Sequence, residues 1–102
     1  MRHRPARTDD NQPQIVKELR KIPGFSVAIT AAVGNGFVDI VVGHRGINGM
    51  YEIKDPAKEP ARRKLTPAEK DFHRDWHGQV AVAETTVAIV TDMRAMANRR
   101  AA

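Results

Sequence analysis

Residues 37–55, FVDIVVGHRGINGMYEIKD, are the stretch that decides the fold of this chain. In it an apolar run is interrupted by one carboxylate, Asp39, and a second strand-like segment then carries Glu52 and Lys54. Burying even a neutral polar group without a partner costs about 2 to 7 kcal/mol, and an isolated charge costs more. Asp39 therefore needs a partner, and a metal ion is the obvious one. Glu52 and Lys54 are two residues apart, so they share one face of a strand.

The two strands are predicted to form a hairpin that brings these three side chains together. A two-residue turn at 45–46 would place Asp39 opposite Glu52, whereas a four-residue loop at 45–48 would place it opposite Lys54. Either even loop length leaves all three side chains on one face. Two carboxylates beside an ammonium suit a hard, oxygen-seeking cation and the negative charge that develops on a phosphate under attack.

The hydrophobic pattern and the turn residues predict an α/β fold. Thr66, Pro67 and Glu69 match a capping box with proline at the first helical position. The predicted elements are a helix from 11 or 12 to 22, strands at 25–33, 37–42 and 50–54, a helix at 67–77, a strand at 79–83 and a helix from 84 to 94 or beyond. Three antiparallel strands and a helical crossover to a fourth predict a mixed four-stranded sheet flanked by helices, in a single domain over 11–102.

The composition favours a polyanionic partner. The chain has 102 residues, a formal net charge of +5 and a pI near 10.1, so nucleic acids are favoured over acidic proteins and cations as partners. The absence of cysteine excludes disulfides and thiolate metal sites. No apolar run approaches the ~20 residues that cross a membrane, and the first residues lack the apolar stretch of a signal peptide. We therefore expect a cytoplasmic protein without a membrane partner.

Two basic segments are candidates for nucleic-acid binding. Residues 1–10 are interpreted as a basic arm, with disorder as the default expectation, and Arg7 is the arm residue assigned to DNA together with Asn11. The second segment is a loop that directly follows the strand of Glu52 and Lys54. Its basic residues are Lys58, Arg62, Arg63 and Lys64. A solvated loop is the alternative to phosphate contact.

The strings Val38-Asp39 and Glu52-Ile53-Lys54, in this order of elements, resemble the PD-(D/E)xK nuclease superfamily. Within it the chain is most similar to the small phage-type VRR-NUC proteins, which are related to Holliday junction resolvases. Further similar segments lie at 36–43, 52–55, 64–69 and 76–82. The resemblance implies a restriction-endonuclease-like αβββαβ(α) core and a metal-dependent nuclease that hydrolyses DNA phosphodiester bonds. It also suggests branched DNA as the substrate, and the host cytoplasm as the location if the protein is phage-encoded.

The resemblance also implies roles for individual residues. Asp39 and Glu52, with the main-chain carbonyl of Ile53, would hold Mg²⁺ or Mn²⁺. Lys54 would position the attacking water and stabilise the transition state. Glu69 stands where many superfamily members have a glutamine, and a contact with DNA or water is expected there.

Two departures from the family pattern lead to a second hypothesis. Val38 replaces the proline of the family name, a mild change because the proline shapes the backbone. Gln14 stands where relatives present a glutamate toward the metal from the first helix, and an amide oxygen can contact a metal or water but brings no charge. Glu18, one turn later, is the alternative acid. The second hypothesis is therefore a catalytically weak or inactive nucleic-acid-binding module on the same fold.

The size of the chain suggests an assembly. A single copy covers few nucleotides, and a two-fold homodimer would set two sites against the two strands of DNA. A homodimer is therefore a further expectation.

Overall fold

The computed structural model describes residues 9–101, so the basic residues Arg2, Arg4 and Arg7 lie outside the described part of the chain. Within it the elements are α1 (Gln12–Lys21), β1 (Phe25–Ile29), β2 (Ile40–His44), β3 (Ile47–Ile53), α2 (Pro67–Asp75), β4 (Ala81–Ala83) and α3 (Thr86–Ala101), with 3₁₀ turns at Ala31–Val33 and Pro60–Arg63. The strands form one sheet in the order β1-β2-β3-β4, in which β4 runs parallel to β3 and the other neighbours are antiparallel. The predicted mixed four-stranded sheet with helices is confirmed.

The β2–β3 hairpin has the two-residue turn, not the four-residue loop. His44 pairs with Ile47, and Arg45 and Gly46 have φ values of 52° and 79°. Two consecutive positive φ angles are typical of the mirror-image turns whose twist matches that of paired strands. The register that follows, with Ile40 opposite Tyr51, holds the site residues on one face.

The first strand is shorter than the alternation over 25–33 predicts. β1 ends at Ile29, and the chain then turns through Ala31–Val33. The reason lies at Thr30, whose backbone N–H donates to the carbonyl of Asp39 at 2.8 Å and whose hydroxyl donates to the carbonyl of Val38 at 2.8 Å. Beyond Thr30 the strand has no ladder partner, because β2 begins only at Ile40. Val33 is consequently 61% exposed despite its apolar side chain.

The hydrophobic core lies on one face of the sheet, where α1 and α3 pack. Along β3, Tyr51 and Ile53 are in this core, so Glu52 and Lys54 point to the opposite face. The largest fully buried side chains are Tyr51, Leu19, Ile40, Ile53, Ile89, Met93, Val38 and Val42. Tyr51 also donates its hydroxyl to Asp92 on α3 at 2.7 Å. The packing of the core therefore fixes the strand that carries the candidate site.

The first turn of helix α2 approaches the other face of the sheet, where Glu69 meets Lys54. The predicted capping box is present, since Thr66 accepts from the N–H of Glu69 and the Glu69 side chain accepts from the N–H of Thr66. The helix ends at Asp75, two residues earlier than expected. Gly36, with φ of 79°, lies against its first turn, and a Cβ there would be 2.2 Å from the carbonyl oxygen of Ala68. This close approach lets the first turn of α2 reach the face of the sheet that carries Lys54.

None of the helices within residues 9–101 has the length and apolar character needed to cross a membrane.

Candidate active site

The hairpin places Glu52 and Lys54 at the wall of one cavity, whereas Asp39 lies beside Glu52 and does not line the cavity itself. Continuing the register of Ile40 with Tyr51 by one position places Asp39 beside Glu52. The cavity next to them has a volume of about 300 Å³ and is lined by Asp9, Asp10, Glu52, Lys54, Lys58, Ala61, Arg62, Lys64, Thr66 and Glu69. A larger groove of about 680 Å³ lies between α1 and Ile29, but no carboxylate lines it. The chemistry therefore belongs to the smaller cavity.

Asp39 is held rigidly at the start of β2. It is 8% exposed, and its Oδ2 accepts the backbone N–H of Ile53 at 2.7 Å. The N–H and C=O groups of one strand residue point to the same edge, so the carbonyl of Ile53 is directed to the side where Asp39 lies. These are two of the three oxygen groups expected to hold a cation.

Glu52 is the third group, and its environment disfavours a bare negative charge. It is 3% exposed, and its Oε1 is buried without a hydrogen-bond partner in the part of the chain that the structure describes. Burial, followed by the hydrogen bond and the charge of Asp39, holds the pKa of Glu52 well above its ordinary range. Burial also raises the pKa of Asp39, although the hydrogen bonds from Glu52 and Ile53 oppose that effect. The surroundings of the pair therefore disfavour two bare carboxylates side by side.

Lys54 supplies a buried positive charge beside this pair. Its Nζ lies 2.9 Å from Oε1 of Glu69 and 3.9 Å from Oε2 of Glu52. Burial alone would lower the pKa of Lys54, but the hydrogen bond and charge of Glu69 and the charge of Glu52 raise it above its ordinary value. The ammonium is therefore cationic at neutral pH.

The donor set suits a hard divalent cation with few protein ligands. An orphaned carboxylate oxygen, a second carboxylate and a backbone carbonyl are ligand types that Mg²⁺ accepts, and Mg²⁺ usually keeps several of its waters. Within residues 9–101, no group of three or more acidic, histidine or cysteine side chains is arranged to bind a metal. The arrangement thus offers two carboxylates and one carbonyl, and their binding of a cation stays a prediction.

The basic side chains of the loop at 58–64 do not all lie at the cavity. Lys58, Arg62 and Lys64 line the cavity, and Lys58 pairs with Asp10 at 2.8 Å. Arg63 instead approaches Glu84 at 3.9 Å and does not line the cavity. Three of the four basic loop residues assigned to DNA thus form a basic rim of the cavity that Glu52 also lines.

Gln14, which the resemblance places in the catalytic set, does not line the cavity. Its side chain is exposed, and its amide donates to Glu18 at 2.7 Å. Glu18 also accepts a short hydrogen bond from the hydroxyl of Thr86. Neither residue lines the cavity, so α1 presents no acid from these positions to the carboxylate pair.

Asn11 and Glu69 have structural partners where nucleic-acid contacts were predicted. The amide of Asn11 donates to the carbonyls of Lys54 and Glu84, each at 3.1 Å, and so joins the start of α1 to the ends of β3 and β4. Glu69 is occupied by the ammonium of Lys54 and the N–H of Thr66. Both residues thus position neighbouring parts of the site, and their contact with DNA stays a prediction.

Asp9 and Asp10 are acidic cavity residues that the sequence prediction missed, and Asp9 is the one without an ion pair among the described residues. Asp9 was assigned to the basic arm, but its carbonyl accepts the N–H of Gln12 at 3.0 Å and so belongs to the start of α1. Its side chain lines the cavity opposite Glu52 and Lys54. The available signal was its place two residues before the helix cap Asn11, close to a helix start that favours acidic residues.

Comparison with known proteins supplies no relative for this chain. No protein-family model, no curated protein and no solved structure matches it. The functional argument therefore rests on the geometry of the cavity and on the pattern of its residues.

Proposed function

We propose that this chain is a metal-dependent nuclease of the PD-(D/E)xK type that hydrolyses DNA phosphodiester bonds. The observation that carries the proposal is the buried Asp39–Glu52 pair beside the ammonium of Lys54, with Glu52 and Lys54 lining a cavity that has a basic rim. Buried ionisable groups with strongly shifted pKa values are typical of catalytic sites. The order of one helix, three antiparallel strands, a helix and a parallel strand supports a restriction-endonuclease-like core.

Asp39, Glu52 and the carbonyl of Ile53 would hold Mg²⁺ or Mn²⁺. Such a cation, when bound, polarises a phosphoryl oxygen and lowers the pKa of a coordinated water. The protein's own contribution is to keep both carboxylates in place. Asp39 is fixed by the N–H of Ile53, and Glu52 is fixed by its position inside β3.

Lys54 would act on the reacting phosphate and water. Lys54 is buried at the wall of the cavity, so its ammonium is a preorganised positive charge. There it would offset the negative charge that develops on the phosphate. The carboxylate of Glu69 orients the ammonium and keeps it protonated. Lys54 is thus the catalytic residue, and Glu69 is a positioning residue.

DNA would enter over the basic rim. Lys58, Arg62 and Lys64 line the mouth of the cavity and offer cations to backbone phosphates, which need little more than positioned charge. The net charge of +5 favours such an encounter. Branched DNA as the preferred substrate, a two-fold homodimer as the active form, and a cytoplasmic location belong to the same proposal.

A second candidate function is DNA binding without catalysis. It is favoured by the finding that residues 9–101 contain no cluster of three metal-ligating side chains and that Gln14 lies away from the cavity. This candidate predicts salt-sensitive DNA binding but no metal-dependent cleavage.

Cleavage of end-labelled DNA tests the proposal. Duplex, single-stranded, flap and four-way junction substrates are incubated with Mg²⁺, Mn²⁺ or EDTA, using wild type, Asp39→Asn and Lys54→Met. Asp71→Asn and Lys70→Met on the outer surface of α2 are the matched controls. We expect wild type to cleave DNA with Mg²⁺ or Mn²⁺ but not with EDTA. Both site variants should lose this cleavage, and both controls should keep it. Cleavage that survives in Asp39→Asn, or DNA binding without any cleavage, would overturn the nuclease assignment.

A further inference from the structure

We infer that Asp9, in the segment just before α1, is an additional outer carboxylate of the cation site, in place of the absent acid at Gln14. The inference rests on the proposed function, because it concerns the same cavity. It adds a residue that the sequence pattern does not assign to the site, and it specifies how that residue interacts with the ion.

The first observation is where the side chain lies. Asp9 lines the cavity together with Glu52 and Lys54, and it is partly buried. No hydrogen bond or ion pair of its carboxylate occurs among the described residues, although its backbone carbonyl is fixed by the N–H of Gln12. The carboxylate is thus held at the wall of the cavity with its oxygens uncommitted.

The second observation is independent and points to a ligand. Glu52 lines the same cavity, is 3% exposed, and has a buried Oε1 without a hydrogen-bond partner in residues 9–101. An oxygen of this kind is stabilised by a proton or by a cation. The cavity between Glu52 and Asp9 is where such a cation would be placed.

Asp9 shares its electrostatic surroundings with groups of the candidate site. Burial raises its pKa, the charge of Lys54 lowers it, and the charges of Asp39 and Asp55 raise it. The charge of Lys58 on the basic rim also lowers this pKa. Four acidic and four basic residues line the cavity, so the case for a cation rests on the unpartnered Oε1 of Glu52 and not on an excess of negative charge.

Asp9 acts through water in this assignment. The described acidic side chains do not gather into a three-ligand cluster, so Asp9 is not a direct ligand in the conformation described. Mg²⁺ and Mn²⁺ keep water ligands, and a second-shell carboxylate orients those waters by accepting their hydrogen bonds. Asp9 is therefore a positioning residue.

Calorimetric titration of the metal-free full chain with MnCl₂ tests this role without reference to cleavage. The variants are Asp9→Asn, Asp39→Asn and Glu18→Gln, which removes the same charge from α1 outside the cavity. We expect Asp9→Asn to weaken Mn²⁺ binding about tenfold and Glu18→Gln to leave it unchanged. Circular dichroism checks that each variant is folded, and Asp9→Glu should restore most of the affinity.

The outcomes separate the two proposals. Mn²⁺ binding that is lost in Asp39→Asn but unchanged in Asp9→Asn would overturn the role of Asp9 and leave the nuclease proposal standing. Binding weakened in Glu18→Gln and not in Asp9→Asn would assign the outer acid to Glu18. No Mn²⁺ binding by wild type, or binding indifferent to Asp39→Asn, would overturn both proposals.

Discussion

The ammonium of Lys54 lies 2.9 Å from Oε1 of Glu69, and the same oxygen accepts the backbone N–H of Thr66 at 2.9 Å. One carboxylate oxygen of Glu69 thus both caps the start of α2 and binds the ammonium of Lys54, the proposed catalytic residue. The capping box gives Glu69 a fixed rotamer, so the orientation of Lys54 is determined by the first turn of a helix on the opposite side of the cavity.

Glu69→Gln should shift the pH dependence of cleavage with little effect on stability. Glutamine is accepted at this position of a capping box, so the helix start should survive. The hydrogen bond and charge of Glu69 raise the pKa of Lys54. Without that charge, burial dominates and the pKa of Lys54 falls. The alkaline limb of the cleavage rate in Mg²⁺ should therefore move to lower pH. Asp71→Asn, an exposed acid on α2, is the control and should leave the profile in place. An unshifted profile in Glu69→Gln would contradict this role.

Glu52→Gln should stabilise the metal-free protein at neutral pH. The folded-state pKa of Glu52 is raised, mainly by burial. In the unfolded chain Glu52 loses its proton above about pH 4.3, whereas in the folded protein it keeps the proton to higher pH. The free energy of unfolding of wild type therefore falls as the pH rises above about 4.3. Glutamine has no charge to bury and can donate its amide to Asp39. In EDTA the two proteins should unfold alike near the acidic end, and the variant should gain about 1 kcal/mol or more by neutral pH.

The same variant should lose its response to metal. Thermal unfolding with added Mg²⁺ should raise the midpoint of wild type, because a ligand that binds only the folded state stabilises it. The unfolding midpoint of Glu52→Gln should rise much less with added Mg²⁺. A variant that is less stable than wild type in EDTA at neutral pH would show that Glu52 is not a strained carboxylate.

The hairpin was predictable because residues that are adjacent in the sequence determine its turn and its register. Arg45 and Gly46 form a two-residue turn, and once the turn is known the register puts Asp39 beside Glu52 without further choice. The capping box at Thr66 is local for the same reason. The early end of β1 was not predictable from alternation, because a strand ends where its ladder partner ends, and β2 begins only at Ile40.

Which acidic residue from outside the hairpin reaches the cavity depends on how α1 lies against the sheet. The sequence places Gln14 and Glu18 on one side of the helix but does not say which end of the helix meets the cavity. The answer comes from Asn11, whose amide reaches the carbonyl of Glu84, 73 residues away in the chain. That contact brings Asp9, and not Gln14, to the cavity wall.

Asn11→Asp should be strongly destabilising even though aspartate is an equally good helix cap. The side chain of Asn11 makes no capping hydrogen bond, and its amide instead donates to the carbonyls of Lys54 and Glu84. An aspartate has no donor and would bring a negative charge to two carbonyl oxygens. We expect a loss of about 2 to 3 kcal/mol in urea unfolding. Gln14→Glu is the matched amide-to-acid control and should cost no more than about 0.5 kcal/mol. Equal stability of Asn11→Asp and wild type would show that Asn11 acts only as a cap.

Arg62→Ala should weaken DNA binding and reduce its dependence on salt. Arg62 lines the mouth of the cavity and is exposed, so its guanidinium is available to a phosphate. Losing one phosphate contact should make the slope of log affinity against log salt concentration less negative by about 1. Binding is measured in EDTA, so that cleavage does not interfere. Arg74→Ala is the control, because that guanidinium is held by Asp71 and Asp75 on α2. A slope that changes in Arg74→Ala and not in Arg62→Ala would place the DNA on α2 and not over the basic rim.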